Sequence, residues 1–105
     1  MDIKYSLQFT RAASEDFDRI YDYINNALNA AGSAKKLMAE IEDKVMKLCD
    51  FPKMYPYSDD LHLKQKGYRK LVVENYIILY LVSDEDKQVV VSRAFYQGMD
   101  YYGKI

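Results

Sequence analysis

The chain of 105 residues contains one cysteine, one histidine, two prolines and four glycines. Each scarcity excludes a class of protein. A single thiol, Cys49, rules out an internal disulfide and suits a reducing cytoplasm. Cys49 and His62 together cannot fill a typical structural zinc site, so neither a metal nor any other cofactor is expected. The four glycines form no phosphate-cradling motif, and no serine lies in a nucleophile-elbow pattern that could use His62. No apolar run approaches the roughly 20 residues that span a bilayer. The opening MDIKYSLQF lacks the basic-then-apolar order of a secretory signal. A cytoplasmic protein with no membrane partner is the expectation. The net charge of −1 argues against broad, non-specific nucleic-acid binding.

What is present is ordinary in amount and uneven in placement. Half of the residues are apolar and 30% are charged, as in soluble globular proteins. The length suits one domain, residues 1–105, with a thin core. Residues 12–30 carry Glu15, Asp16, Asp18 and Asp22 against Arg19, whereas residues 64–70 carry Lys64, Lys66, Arg69 and Lys70 with no acid. These are either two solvated faces of opposite sign or, for the basic segment, part of a docking surface.

Alternation over residues 3–8, with Ile3, Tyr5 and Leu7 on one side, predicts a half-buried strand. Thr10 offers a helix N-cap, and Ala13, Phe17, Ile20, Tyr21, Ile24 and Leu28 recur as one apolar stripe. Asn29 and Gly32 tolerate a left-handed cap, and Ser33 can start a second helix carrying Leu37, Ile41, Val45 and Leu48. Pro52 ends it near Phe51. Residues 52–67 show no period and read as a long, functional connection, in which Asp59–Asp60 is a turn former. Three β-rich runs follow at 68–73, 76–82 and 88–95. The middle run is apolar almost throughout, as in a strand covered on both faces or in mid-sheet. The order β-α-α-β-β-β predicts an α+β fold, a helix hairpin on one face of a mostly antiparallel four-stranded sheet.

Chemistry, if any, falls to the sheet and the tail. Arg69 begins one strand, Arg93 interrupts a valine-rich one, and Tyr96, Asp100, Tyr101 and Tyr102 follow. An unpaired buried guanidinium is prohibitive, so Arg93 either faces the polar side or pairs with a carboxylate such as Asp100. Arginines and phenols on an open face could instead grip phosphate and stack on bases. The tyrosines also suit a protein interface, as large contacts with a polar tip.

With its order β-α-α-β-β-β, GYRKL at 67–71, Tyr76 and Tyr80 in YIILYLV, and VVVSRAFYQGMDYY at 89–102, nearly the whole chain resembles the RelE/ParE superfamily of bacterial type II toxins. The resemblance implies a small antitoxin that wraps and neutralises the toxin. It also implies one of two targets, mRNA cleaved on the ribosome in the RelE-like branch or DNA gyrase in the ParE-like branch. Ile77 and Met99 stand where the RelE-like branch has arginines, and Arg69 where it has a lysine. Long paired helices, the QGMD ending and the slightly negative charge favour the ParE-like side. Candidate catalytic residues under the ribonuclease reading are Arg69, Arg93, Tyr96, Asp100 and Tyr101. Candidate partner-binding residues are Lys64, Lys66, Arg69, Lys70, Tyr96 and Tyr101. An inert relative that binds only antitoxin, and a non-toxic interaction domain, are the remaining alternatives.

Overall fold

A computed structural model describes residues 4–98. In chain order it comprises β1 (Ser6–Phe9), α1 (Arg11–Asp22), a π-helical turn (Tyr23–Ala27), α2 (Ala31–Lys47), α3 (Leu61–Gln65), β2 (Arg69–Val73), β3 (Tyr76–Ser83) and β4 (Gln88–Tyr96). The sheet order is β1-β4-β3-β2. Two pairings are antiparallel, and β1 lies parallel to β4. The α+β architecture and element order agree with the expectation from sequence, and the parallel pair makes the sheet mixed. That pair follows from the route: the helix hairpin separates β1 from the later strands, so no tight turn constrains its direction.

One layer of core lies between the hairpin and the sheet. Ala13, Leu37, Ile41, Val45 and Leu48 meet Leu71, Val73, Ile78, Tyr80, Val89, Val91 and Ala94. The opposite face holds a smaller cluster, in which Leu63 of α3 covers Ile77, Leu79 and Phe95 beside Tyr68. β3 is thus both central and covered on two faces, which accounts for its unbroken apolar run.

Three local readings are corrected. The first helix does not carry its stripe to Leu28: the π-helical turn adds a residue to one turn, rotates the phase, and leaves Leu28 exposed. The second helix starts at Ala31, not after Ser33. Of these two residues it is Asn29 that takes the left-handed backbone, at φ 50°, and Gly32 lies inside the helix. The connection 52–67 contains α3. Its start is fixed by Asp60, whose carboxylate accepts from the N–H of Leu63 at 2.9 Å, so this acid is a helix cap. Gly67, at φ 91°, then leads the chain out of α3.

Candidate functional site

Arg93 and the helix α1 define the most constrained polar site among the described residues. The β3–β4 register pairs Leu79 with Arg93 and Tyr80 with Val91, so Ser92 has no cross-strand partner and forms a bulge. The bulge shifts the side-chain alternation by one residue. Val89, Val91 and Ala94 consequently all face the helix-side core, while Phe95 joins the opposite cluster. Arg93, which strict alternation would have directed into the apolar core, instead lies with its guanidinium 4.8 Å from the ring centre of Phe95.

Its charge is met by Asp16 of α1. Arg93 donates from Nε to Asp16 Oδ2 at 2.7 Å and from Nη2 to Oδ1 at 3.2 Å. The N–H of Ala94 donates to the same Oδ2 at 3.0 Å, and Arg19 Nη2 donates to Oδ1 at 2.6 Å. Asp16 is only 4% exposed and Arg93 19%. Burial pushes the Asp16 carboxyl up, but the hydrogen bonds from Arg93, Ala94 and Arg19 and the Arg93 charge outweigh it and hold the group below its ordinary value. The Arg93 guanidinium is raised, first by its hydrogen bond to Asp16.

The clamp exists because β1 is short. It pairs with β4 only over residues 88–91, after which the β4 edge would be open. Thr10 covers the next positions, donating its N–H to the Val91 carbonyl at 3.0 Å and its hydroxyl to the Ser92 carbonyl at 2.8 Å. Its Oγ1 also caps α1 by accepting from Ala13 N–H. Asp16, further along the helix, then takes the Ala94 N–H that a strand would have taken. Beyond it opens a groove of ≈ 830 Å³, lined by Asp16, Arg19, Ile20, Tyr23, Leu28 and Tyr76 and by the end of β4. Tyr76 and Tyr96 meet edge to face at 5.5 Å on its wall. Burial first, then the neighbouring Tyr96, Tyr23 and Glu74, raise the Tyr76 phenol.

The other candidates are dispersed. Arg69 lies on the far side of β3, donating to the Tyr55 carbonyl at 2.7 Å with its guanidinium 4.2 Å from the Tyr57 ring centre. Lys70 pairs with Asp59, whose carboxyl is lowered by that hydrogen bond. Lys64 and Lys66 are exposed on and just after α3. Tyr96 is exposed at the groove, whereas Asp100 and Tyr101 lie outside the described residues. The Arg–Asp pair expected for Arg93 is present, and its described carboxylate is Asp16. The Asp100 alternative lies outside the described residues. One sequence signal could have identified Asp16: it falls three residues after Ala13 and four before Ile20, where an acid faces the packed side.

The sheet carries a second polar cluster at its opposite end. Tyr5 donates to Asp84 Oδ1 at 2.6 Å and Lys53 to Oδ2 at 2.5 Å, with Asp84 53% exposed. Among the described residues no group of His, Cys, Asp and Glu could hold a metal ion, and no helix is long and apolar enough to cross a membrane.

With this geometry in place, known proteins supply the context. The family model described as the ParE toxin of the type II toxin–antitoxin system parDE matches residues 7–101. No curated protein matches the chain. A chain of the chromosomal ParDE system from P. aeruginosa superposes with a TM-score of 0.71 at 24% identity, covering 90% of this chain and 97% of that one. The RelBE2 toxin–antitoxin complex of Mycobacterium tuberculosis gives 0.66 at 18% identity, over 90% and 100% of the two chains. The isolated E. coli RelE toxin gives 0.61 at 14%, over 95% and 93%. These structural likenesses show the shared fold. The family match covers almost the whole chain, which belongs to the ParE toxin family, within the RelE/ParE superfamily.

Proposed function

We propose that this member of the ParE toxin family is the toxin of a type II toxin–antitoxin module, neutralised by a cognate antitoxin and arresting growth through DNA gyrase. The observation that carries the reading is the family match over residues 7–101. The arginines support the gyrase branch over the ribosome-dependent ribonuclease. Phosphoryl transfer needs positioned charge at the scissile phosphate. Here Arg93 is engaged by Asp16 and Arg69 by Tyr55 and Tyr57, and residue 77 is a buried isoleucine. A gyrase poison needs a protein contact, for which the exposed Tyr23, Leu28 and Tyr96 offer area.

Support for the antitoxin comes from the similar ParDE and RelBE2 structures, which are of toxin–antitoxin systems. Lys64 and Lys66, exposed and just before the Gly67 turn, would receive acidic residues of that partner. Changing both to glutamate is expected to slow association and flatten its salt dependence. The functional test is induction of the chain alone and with its antitoxin. Expected is growth arrest with relaxed plasmid DNA and intact mRNA, relieved by co-expression. Arrest with cleaved mRNA and normal plasmid topology would assign the ribonuclease branch instead. Normal growth would leave only an interaction domain.

A further inference from the structure

The two outer strands of the sheet, β1 and β2, are protected unequally. β2 carries Lys70 and is flanked by residues 56–58. There the Lys70 N–H donates to the Pro56 carbonyl and the Ser58 N–H to the Tyr68 carbonyl, both at 2.9 Å. β1 has none of the usual guards of an edge. Its sequence SLQF holds no charge and no proline, and its register with β4 runs without a bulge. Ser6 and Thr10 donate their N–H groups inward, to the Lys87 and Val91 carbonyls. The two-residue period of a strand therefore turns both backbone groups of Leu7 and of Phe9 outward. None of these groups forms a hydrogen bond among the described residues. Leu7 packs in part against the core, whereas Phe9 is 45% exposed and meets Phe17 edge to face at 6.0 Å.

We propose that the β1 edge pairs with the β1 edge of a second copy of this chain, antiparallel about a two-fold axis at Gln8. The open stretch is short at both ends. Tyr5 gives its N–H to the Cys49 carbonyl at 2.9 Å, and α1 begins at Arg11. Between them one register sets Leu7 opposite the second copy's Phe9, and Phe9 opposite its Leu7. Each such pair exchanges both of its N–H to C=O bonds, so every free donor finds a free acceptor. Centring the pair on Leu7 would set Phe9 against Tyr5, whose N–H is taken. Centring it on Phe9 would set Leu7 against Arg11, which is helical. The side chains match as well. Leu7 and Phe9 make apolar cross-strand pairs on the helix side, while Gln8 faces Gln8 on the other. The flanking cations Lys4 and Arg11 are already paired, with Asp50 and Glu15, so no unbalanced charge opposes the approach. Such an interface is isologous, one patch meeting itself. An antitoxin segment would have to bring its own matching register, and no charge on the edge selects it.

The test is sedimentation of the purified full chain over a range of concentrations, alongside Gln8→Lys and Gln8→Glu. Gln8 is exposed, so both variants are expected to fold. Wild type is expected to dimerise near about 100 μM and to dissociate on dilution, as a small interface does. Either variant alone sets like charges face to face, and is expected to weaken the dimer about tenfold or more. An equimolar mixture of the two is expected to restore it. The Leu7 and Phe9 amides of wild type should exchange faster on dilution. A wild type that stays monomeric up to about 1 mM overturns the pairing. So does a dimer indifferent to Gln8→Lys, or one that the mixture fails to restore. Exchange at Leu7 and Phe9 that ignores concentration overturns it without reference to the variants. If that exchange is slow throughout, the chain's own residues cover the edge. Protection that appears only when antitoxin is added gives the edge to that partner, and overturns it too.

Discussion

Asp16 and Asp84 make the same kind of contact at opposite ends of the sheet, with opposite consequences. Each joins an early element to the β3–β4 hairpin, and each accepts from a cation and from a second donor. Asp16 is buried against a strand edge and receives two arginines and a backbone N–H, so its donors replace water that it has lost. Asp84 keeps half its surface in solvent, and water can replace Lys53 and Tyr5 at little cost. The Asp84 carboxyl is lowered, first by the Lys53 hydrogen bond, but solvent screens what that shift contributes to folding. Burial, not the number of contacts, separates a clamp from a surface decoration.

The largest effect is expected at the clamp. Asp16→Ala leaves Arg93 without its carboxylate and Ala94 without its acceptor, and is expected to lower stability by about 3–5 kcal/mol in denaturant titration. Arg93→Ala should follow closely, because Asp16 would retain only Arg19 and one N–H. Arg69→Ala removes a hydrogen bond and a ring contact at a solvated edge, for which about 1–2 kcal/mol is expected. An Arg69 loss equal to that of Arg93 would break the contrast between the two arginines.

Acid titration separates the two carboxylates as well. The folded Asp16 carboxyl is depressed, so its contribution is present above the ordinary value near pH 4 and is lost as pH falls through the folded value. Asp16→Asn should therefore flatten the acid limb of stability below about pH 4. Asp84→Asn should leave it nearly unchanged. An equal flattening by both would show that exposure does not distinguish them.

A smaller effect, of opposite sign, is expected in the core. The Tyr80 hydroxyl is fully buried and makes no well-formed hydrogen bond among the described residues, although the Tyr55 backbone lies near it, and burial pushes the phenol up to about 12. Tyr80→Phe removes an unsatisfied group without opening a cavity, and is expected to stabilise by about 1 kcal/mol. Destabilisation would mean that the hydroxyl has a partner, such as an internal water. The smallest effect is at Asp84→Ala, whose denaturation midpoint should match wild type.

The elements were legible where periodicity was uninterrupted. The β3 run, the α2 stripe and the Thr10 cap could be read because each residue there answers to one local rule. The losses occur where a backbone irregularity resets the phase. The π-helical turn at Tyr23–Ala27 displaces Leu28 from its stripe, and the Ser92 bulge moves Arg93 off the face that counting assigns it. Neither irregularity is marked by glycine or proline, so composition gives no warning. The site was half legible. An arginine inside a valine-rich strand demanded a carboxylate, but that carboxylate lies 77 residues away on α1. Arg69, read as a basic contact, is held at the β2 edge by a loop whose path has no sequence period.

We propose that the sheet arginines hold the fold while toxicity runs through a protein contact with gyrase. The most direct measurement places the purified full chain in two reactions side by side, gyrase supercoiling of relaxed plasmid and primer extension on ribosome-bound mRNA. Inhibited supercoiling with uncut mRNA is expected. Cleaved mRNA with supercoiling intact would contradict this, and would mean that Arg69 and Arg93 serve catalysis.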